Sequence, residues 1–176
     1  MKVHLTPIVL GAVLVALAAG TTVAHDKKKR EEVVSARLVS INEVPALSTP
    51  ASGRFKAVID EDEGTITYTI SYDALEGAVT QSHIHFGQKG VNGGVSVFFC
   101  TNLGNGPAGT PACPPPPAEI SGTITAANVI GPAGQGIAAG EFAELLRAIR
   151  EGVAYANVHS DRFPAGEIRG QIREND

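Results

Sequence analysis

From Val33 onward, apolar and polar residues alternate in short runs, and glycine, proline, asparagine and aspartate punctuate the runs. In an extended chain successive side chains point to opposite faces, so each run has one face to bury and one to leave polar. In GRFKAVID, residues 53–60, Phe55, Ala57 and Ile59 share one face while Arg54, Lys56 and Asp60 share the other. After the acidic turn EDEG, TITYTISY at 65–72 sets Ile66, Tyr68, Ile70 and Tyr72 against three threonines and a serine. Two adjacent runs with this pattern predict a hairpin. VVSARLVS at 33–40, a run over 79–86, VSVFFC at 95–100, EISGTIT at 119–125, VAYANVHS at 153–160 and GEIRGQIR at 166–173 supply further strands.

One segment has another period. In GEFAELLRAIREG, Phe142, Leu145, Leu146 and Ile149 recur at i, i+3, i+4 and i+7, with acids early, arginines late and Gly152 just past the end. That spacing predicts one amphipathic helix packed on a sheet. The stretch from 101 to Pro117 contains CPPPP, which excludes both helix and central strand. The expected fold is therefore all-β, an antiparallel Greek-key sandwich or barrel of about eight strands with one short helix.

The 176 residues allow one domain. Its beginning has a different character, because Leu5 to Ala24 carries no charge and its most apolar part is IVLGAVLVALAA. Small residues precede position 25, so 1–24 is expected to be a secretory signal cleaved after Ala24. The alternative is an uncleaved anchor, since KKKR at 27–30 follows directly. Cleavage would leave a tail at 25–32, a β domain at 33–173, a short tail at 174–176 and no membrane span. The expected location is secreted, periplasmic or in the cell envelope.

Without the signal the chain carries 13 basic and 18 acidic residues, and without HDKKKR at 25–30 it carries 9 and 17. So acidic a surface repels phosphate backbones and excludes nucleic acid as the expected partner. A metal ion or an envelope protein remains as a partner, and the oligomeric state stays open. The two cysteines, Cys100 and Cys113, read as one disulfide in an exported chain. A loop of that size is stabilised by about 3 kcal/mol in the chain-entropy account.

The candidate chemistry lies in QSHIHFGQKGVNGG, residues 81–94. In a strand, Gln81, His83 and His85 share a face. The same alternation sends Tyr155, Asn157 and His159 away from the apolar face of their run, and Glu167, Arg169, Gln171 and Arg173 away from Ile168 and Ile172. If strand 79–86 lies beside 153–159, the three imidazoles converge on one ion. Imidazole suits copper or zinc, and three of them leave one coordination position open. Glu167 or Asp161 is then a fourth ligand or orients a ring from behind. The alternative is a polar face in which Asn157, His159 and Glu167 satisfy loop backbone. No G-x-S-x-G elbow or phosphate-cradling glycine loop is present, and the acidic turn lacks the spaced ligands of a calcium loop.

NEVP at 42–45, G-x-F-x-A at 53–57, HIHFG at 83–87, NGG at 92–94, YANVHS at 155–160 and GEIRGQI at 166–172 together resemble the CHRD domain. That family is named for chordin and occurs in many bacterial exported proteins. The resemblance implies an extracytoplasmic β domain over nearly the whole mature chain. It does not imply growth-factor antagonism, because chordin's cysteine-rich modules are absent. HIHFG is also similar to the H-x-H-x-x-G segment of copper/zinc superoxide dismutases, whose third copper-binding histidine lies far downstream, as His159 does. That family's bridging histidine and zinc ligands have no counterpart, since no histidine occurs between Phe86 and Val158. The glycine also sits one position closer to the second histidine. The likeness implies a copper-only relative, with Arg169 guiding an anionic substrate. The leading expectation is a non-catalytic binding module with a histidine metal site. A copper-dependent redox enzyme and a structural envelope or matrix module are the alternatives.

Overall fold

In the computed structural model, residues 1–2 and 31–174 are described, so the expected signal at 1–24, after its first two residues, and the basic tail to Arg30 lie outside the described residues. The alternating runs become strands within one or two residues of the predicted limits. β1 (Glu32–Val39), β2 (Ser52–Asp60) and β3 (Thr65–Asp73) form an antiparallel meander. Its register sets Phe55 opposite both Ala36 and Ile70, and Ala57 opposite both Val34 and Tyr68. All of these apolar side chains are buried. β1 begins one residue inside the expected tail, because Glu32 already pairs with Ile59.

β4 (Val79–Phe86), β5 (Gly94–Thr101), β6 (Ala118–Ile124), β7 (Ala154–Ser160), β8 (Ile168–Gln171) and the two-residue β9 (Arg173–Glu174) complete a single sheet. Its order is β5-β4-β7-β8-β1-β2-β3-β6, with β9 also pairing to β1. The sheet curls into a nearly closed barrel in which β5 and β6 are the two ends. A cleft of about 400 Å³ separates them, lined by Val97 and Phe99 on one side, Ser121 and Thr123 on the other, and Pro107–Pro111 across it.

α1 (Phe142–Arg150) is the one α-helix among the described residues. Its i, i+3, i+4, i+7 stripe is the face that packs inward, with Leu145, Leu146 and Ile149 buried and Phe142 half-buried. Burying such side chains stabilises the fold by roughly 1.5–3 kcal/mol each. Gly152, at φ 66°, ends the helix, and Val153 donates back to the Ala148 carbonyl at 2.9 Å.

Cys100 and Cys113 form the expected disulfide. Asn102 ties the loop that it closes to the barrel. Its amide donates to the carbonyls of Val79 (2.9 Å) and Cys113 (3.0 Å) and its carbonyl accepts from the Cys113 N–H (2.9 Å).

The alternation is misleading in one respect. It predicts an exposed polar face on β7 and β8, yet all seven residues of β7 are buried, and so are Glu167 and Arg169. Loops at 40–50, 87–93 and 161–167 fold over that face and supply hydrogen-bond partners to its side chains. The domain thus has a second, polar interior on the far side of the sheet from its apolar core.

Candidate metal centre

The polar interior is a grid of three strands. β4 sets Gln81 opposite His159, His83 opposite Asn157 and His85 opposite Tyr155 on β7. β7 in turn sets Asn157 opposite Arg169 and Tyr155 opposite Gln171 on β8. The pairing of Val158 with Ile168 brings Glu167 beside His159. Irregularities in the β4–β5 ladder leave Phe99 and Ser96 without partners on β4. Phe98 thereby stands opposite His83, with its ring 4.3 Å from the imidazole and nearly perpendicular to it.

His83, His85 and His159 each offer a nitrogen, and these nitrogens all lie within 4.8 Å of one another. The ring centroids are 5.0 to 5.8 Å apart. Three nitrogens each about 2.0 Å from one ion stand roughly 3.3–3.5 Å apart, so ring shifts of about an ångström close the set. All three rings are buried, at 1%, 8% and 6% exposure.

Hydrogen bonding fixes the protons. His85 Nδ1 faces the Gly93 carbonyl at 3.0 Å and His159 Nδ1 faces the Pro164 carbonyl at 3.0 Å. A carbonyl only accepts, so both Nδ1 atoms carry hydrogen and both neutral rings present a bare Nε2. His159 Nε2 then accepts from His83 Nδ1 at 3.2 Å, which leaves His83 Nε2 bare as well. Neither His83 Nε2 nor His85 Nε2 has a partner. A buried acceptor left unpaired costs about 1–3 kcal/mol, and the site carries two.

Burial, followed by the charges of the other two histidines, drives the His83 pKa down to about 2. Burial also takes His85 down to about 4; the Gly93 contact opposes this, while His159 and Arg169 assist it. His159 is lowered by burial against the pull of its Pro164 hydrogen bond. At neutral pH all three rings are uncharged, the form that binds metal ions.

Behind His85 stands a stack. The Tyr155 ring lies parallel to His85, and Arg169 Cζ sits 3.4 Å above the Tyr155 centroid. β7 lies between β4 and β8, so His85 and Arg169 cover opposite faces of the tyrosine. The guanidinium donates to Asn92 Oδ1 (3.2 Å) and to the carbonyls of Gln88 (3.1 Å) and Val91 (2.8 Å). At 2% exposure it is a clamp on the loop over the site, and the expected surface role of guiding an anionic substrate does not fit it.

The expected neighbours divide. Asn157 lies between His83 and Arg169, and its amide donates to Glu43 Oε1 at 2.6 Å, while its own Oδ1 is unpartnered. Glu167 Oε1 accepts from the Glu76 N–H at 2.6 Å, and Oε2 has no partner. Asp161 Oδ1 accepts from the Ala78 N–H at 2.8 Å. Neither acid joins the three histidines among the described residues, so the expectation of a carboxylate ligand from them is not met in this geometry.

Glu43 escaped the sequence reading of the site. Burial lifts its pKa to about 7 against the attraction of Arg169. It lies in the loop after β1, where no periodicity marks it; the NEVP motif was the one available signal. Gly166, at φ 129°, lets the chain pass so close that a Cβ there would overlap the Glu43 carboxylate and the Asn157 amide.

A family model described as CHRD domain matches residues 34–172. No curated protein and no solved structure matches the chain.

Proposed function

The chain belongs to the CHRD domain family, and from that premise we propose that it is an exported binding module holding one transition-metal ion, copper or zinc, on His83, His85 and His159. The observation that carries this reading is that three buried histidines each offer a nitrogen within 4.8 Å of the others, while His83 and His85 each keep a ring nitrogen without a hydrogen-bond partner. A purely structural polar layer would satisfy those atoms, as buried polar groups ordinarily are. An ion bound among the three rings would give such nitrogens a partner. It also takes the His159 Nε2 lone pair that His83 otherwise occupies.

The backbone carbonyls of Gly93 and Pro164 orient two of the rings from behind, the arrangement that fixes the tautomer of metal-bound histidine. Near-complete burial favours holding the ion over turning over a substrate, because a reactant must reach the open coordination position. A copper redox activity has less support for that reason.

The test is metal analysis of the untagged chain after micromolar exposure to copper and zinc and removal of loose ion. A His25→Ala background removes the histidine near the expected new terminus. Close to one ion per chain, abolished in His83→Ala/His85→Ala/His159→Ala, is the expected result. Retention of neither metal, with the triple variant unaltered in stability, overturns the reading. A superoxide disproportionation assay on the copper-loaded chain is expected to match free buffer.

A further inference from the structure

Building on that metal site, we propose that it is a three-coordinate centre for monovalent copper, and that Arg169 is the residue that sets it against divalent ions.

The first ground is the number of donors. Three neutral imidazoles are the whole metal-capable cluster among the described residues. Both cysteines are consumed in the disulfide. Asp161 is engaged with the Ala78 N–H, and Glu167, tied by Oε1 to the Glu76 N–H with Oε2 unpartnered, lies outside the cluster of three nitrogens. Zinc asks for four ligands in a tetrahedron, and divalent copper asks for a tetragonal set. Monovalent copper shares zinc's filled d shell but carries half its charge, and low coordination by three nitrogens satisfies it. The missing ligands of a divalent ion would have to be waters, and the rings at 1% to 8% exposure leave little entry for them.

The second ground is charge. The ligands bring no negative charge, so the ion enters a buried site with its full charge, and the cost rises steeply with that charge. Arg169 adds to it. Its guanidinium is held by neutral oxygens and stacked on the tyrosine that stacks on His85, which places a fixed positive charge two rings from the ion. Its repulsion of a divalent ion is twice that of a monovalent one. Glu43, on the far side of Asn157, and Glu167, beside His159, act in the opposite sense. They lie outside the ligand cluster, and neither cancels the deficit of donors.

The experiment measures three affinities on the intact chain by competition: Cu(I) against a chromogenic Cu(I) chelator under ascorbate without oxygen, and Zn(II) and Cu(II) against their own chelators. In the wild type Cu(I) is expected to bind tightest by at least about a hundredfold, and its X-ray absorption to report three nitrogen neighbours. Arg169→Met removes the charge and is expected to narrow the Cu(I) to Zn(II) ratio by about tenfold or more, the effect of one charge at this separation. Arg169→Lys keeps the charge, loses the fork and is expected to hold the ratio within a few fold. Equal shifts in the two variants would show a loop clamp only and remove Arg169 from the proposal. Zn(II) or Cu(II) bound as tightly as Cu(I) by the wild type overturns the proposal whole, even if Arg169→Met fails to fold. Failure to bind any of the three ions is a different outcome, which sinks the metal reading itself.

Discussion

His85 and Tyr155, directly opposite each other on neighbouring strands, stack with ring centroids 4.7 Å apart and planes within 3° of parallel. The tyrosine hydroxyl accepts from the Gly93 N–H at 3.2 Å, and the Gly93 carbonyl accepts from His85 Nδ1. Stack, hydroxyl and loop therefore close a ring of contacts around one imidazole. Tyr155→Phe keeps the stack and loses one hydrogen bond, and should cost about 1 kcal/mol in urea unfolding. Tyr155→Ala removes the platform from both His85 and Arg169, and should cost about 3–5 kcal/mol. Equal stabilities for the two variants would show that the stack contributes nothing.

The metal-free protein should weaken as pH falls from 7 to 5. His83, His85 and His159 have folded pKa values below their unfolded value of 6.5, so the unfolded chain takes up protons first. Stability is complete above the unfolded value and declines as pH drops toward the folded ones, by up to about 1.4 kcal/mol per unit for each group. Glu43 opposes this, because its folded value is raised to about 7 and protonating it relieves a penalty. Three groups outweigh one. Urea midpoints that hold steady or rise between pH 7 and pH 5 contradict the account, and the triple histidine-to-alanine variant should reverse the slope.

Glu43→Gln tests the buried acid. Glutamine can still accept from the Asn157 amide, yet it carries no charge to desolvate. The variant should gain about 1–3 kcal/mol relative to wild type on going from pH 5 to pH 8, the window across which the wild-type carboxyl ionises. A difference independent of pH would mean that the carboxyl keeps an ordinary pKa.

Gly166→Ala should destabilise by about 2 kcal/mol or more. The methyl group meets the Glu43 carboxylate and the Asn157 amide, at a backbone angle that side chains rarely adopt. Glu43→Ala in the same chain makes room and should return part of the loss, which a thermal-melt double-mutant cycle reads directly.

Reducing Cys100–Cys113, or replacing both with alanine, should cost about 2–4 kcal/mol. The far-ultraviolet spectrum of the sheet should survive, because Asn102 still anchors the 101–117 loop through three hydrogen bonds. Loss of the sheet signal on reduction would make the bridge a condition of folding.

Period-two alternation carried much of this architecture. It put His83 and His85 on one face of a strand from Val79 to Phe86, and it put Tyr155, Asn157 and His159 on the matching face of β7. What alternation cannot encode is whether a polar face meets water or a loop. Arg169 reads as a surface cation because charge on the non-core face of a strand usually is one. Its burial depends on carbonyls of a glycine-rich loop some 80 residues earlier. Glu43 is out of reach for the same reason, since 114 positions separate it from Asn157 and neither flank is periodic. Asp161 shows the reverse error. An acid two residues after His159 invites a ligand assignment, but turn geometry directs it to a backbone N–H on the neighbouring loop.

The sheet ends at β5 and β6, and those two ends face each other across a narrow cleft bridged by Pro107–Pro111. Bare strand edges are where identical molecules add to one another, and proline lacks the N–H needed to join a ladder. The sheet thus keeps its most adhesive edges turned toward each other and screened. Crowding among copies then finds little to grip.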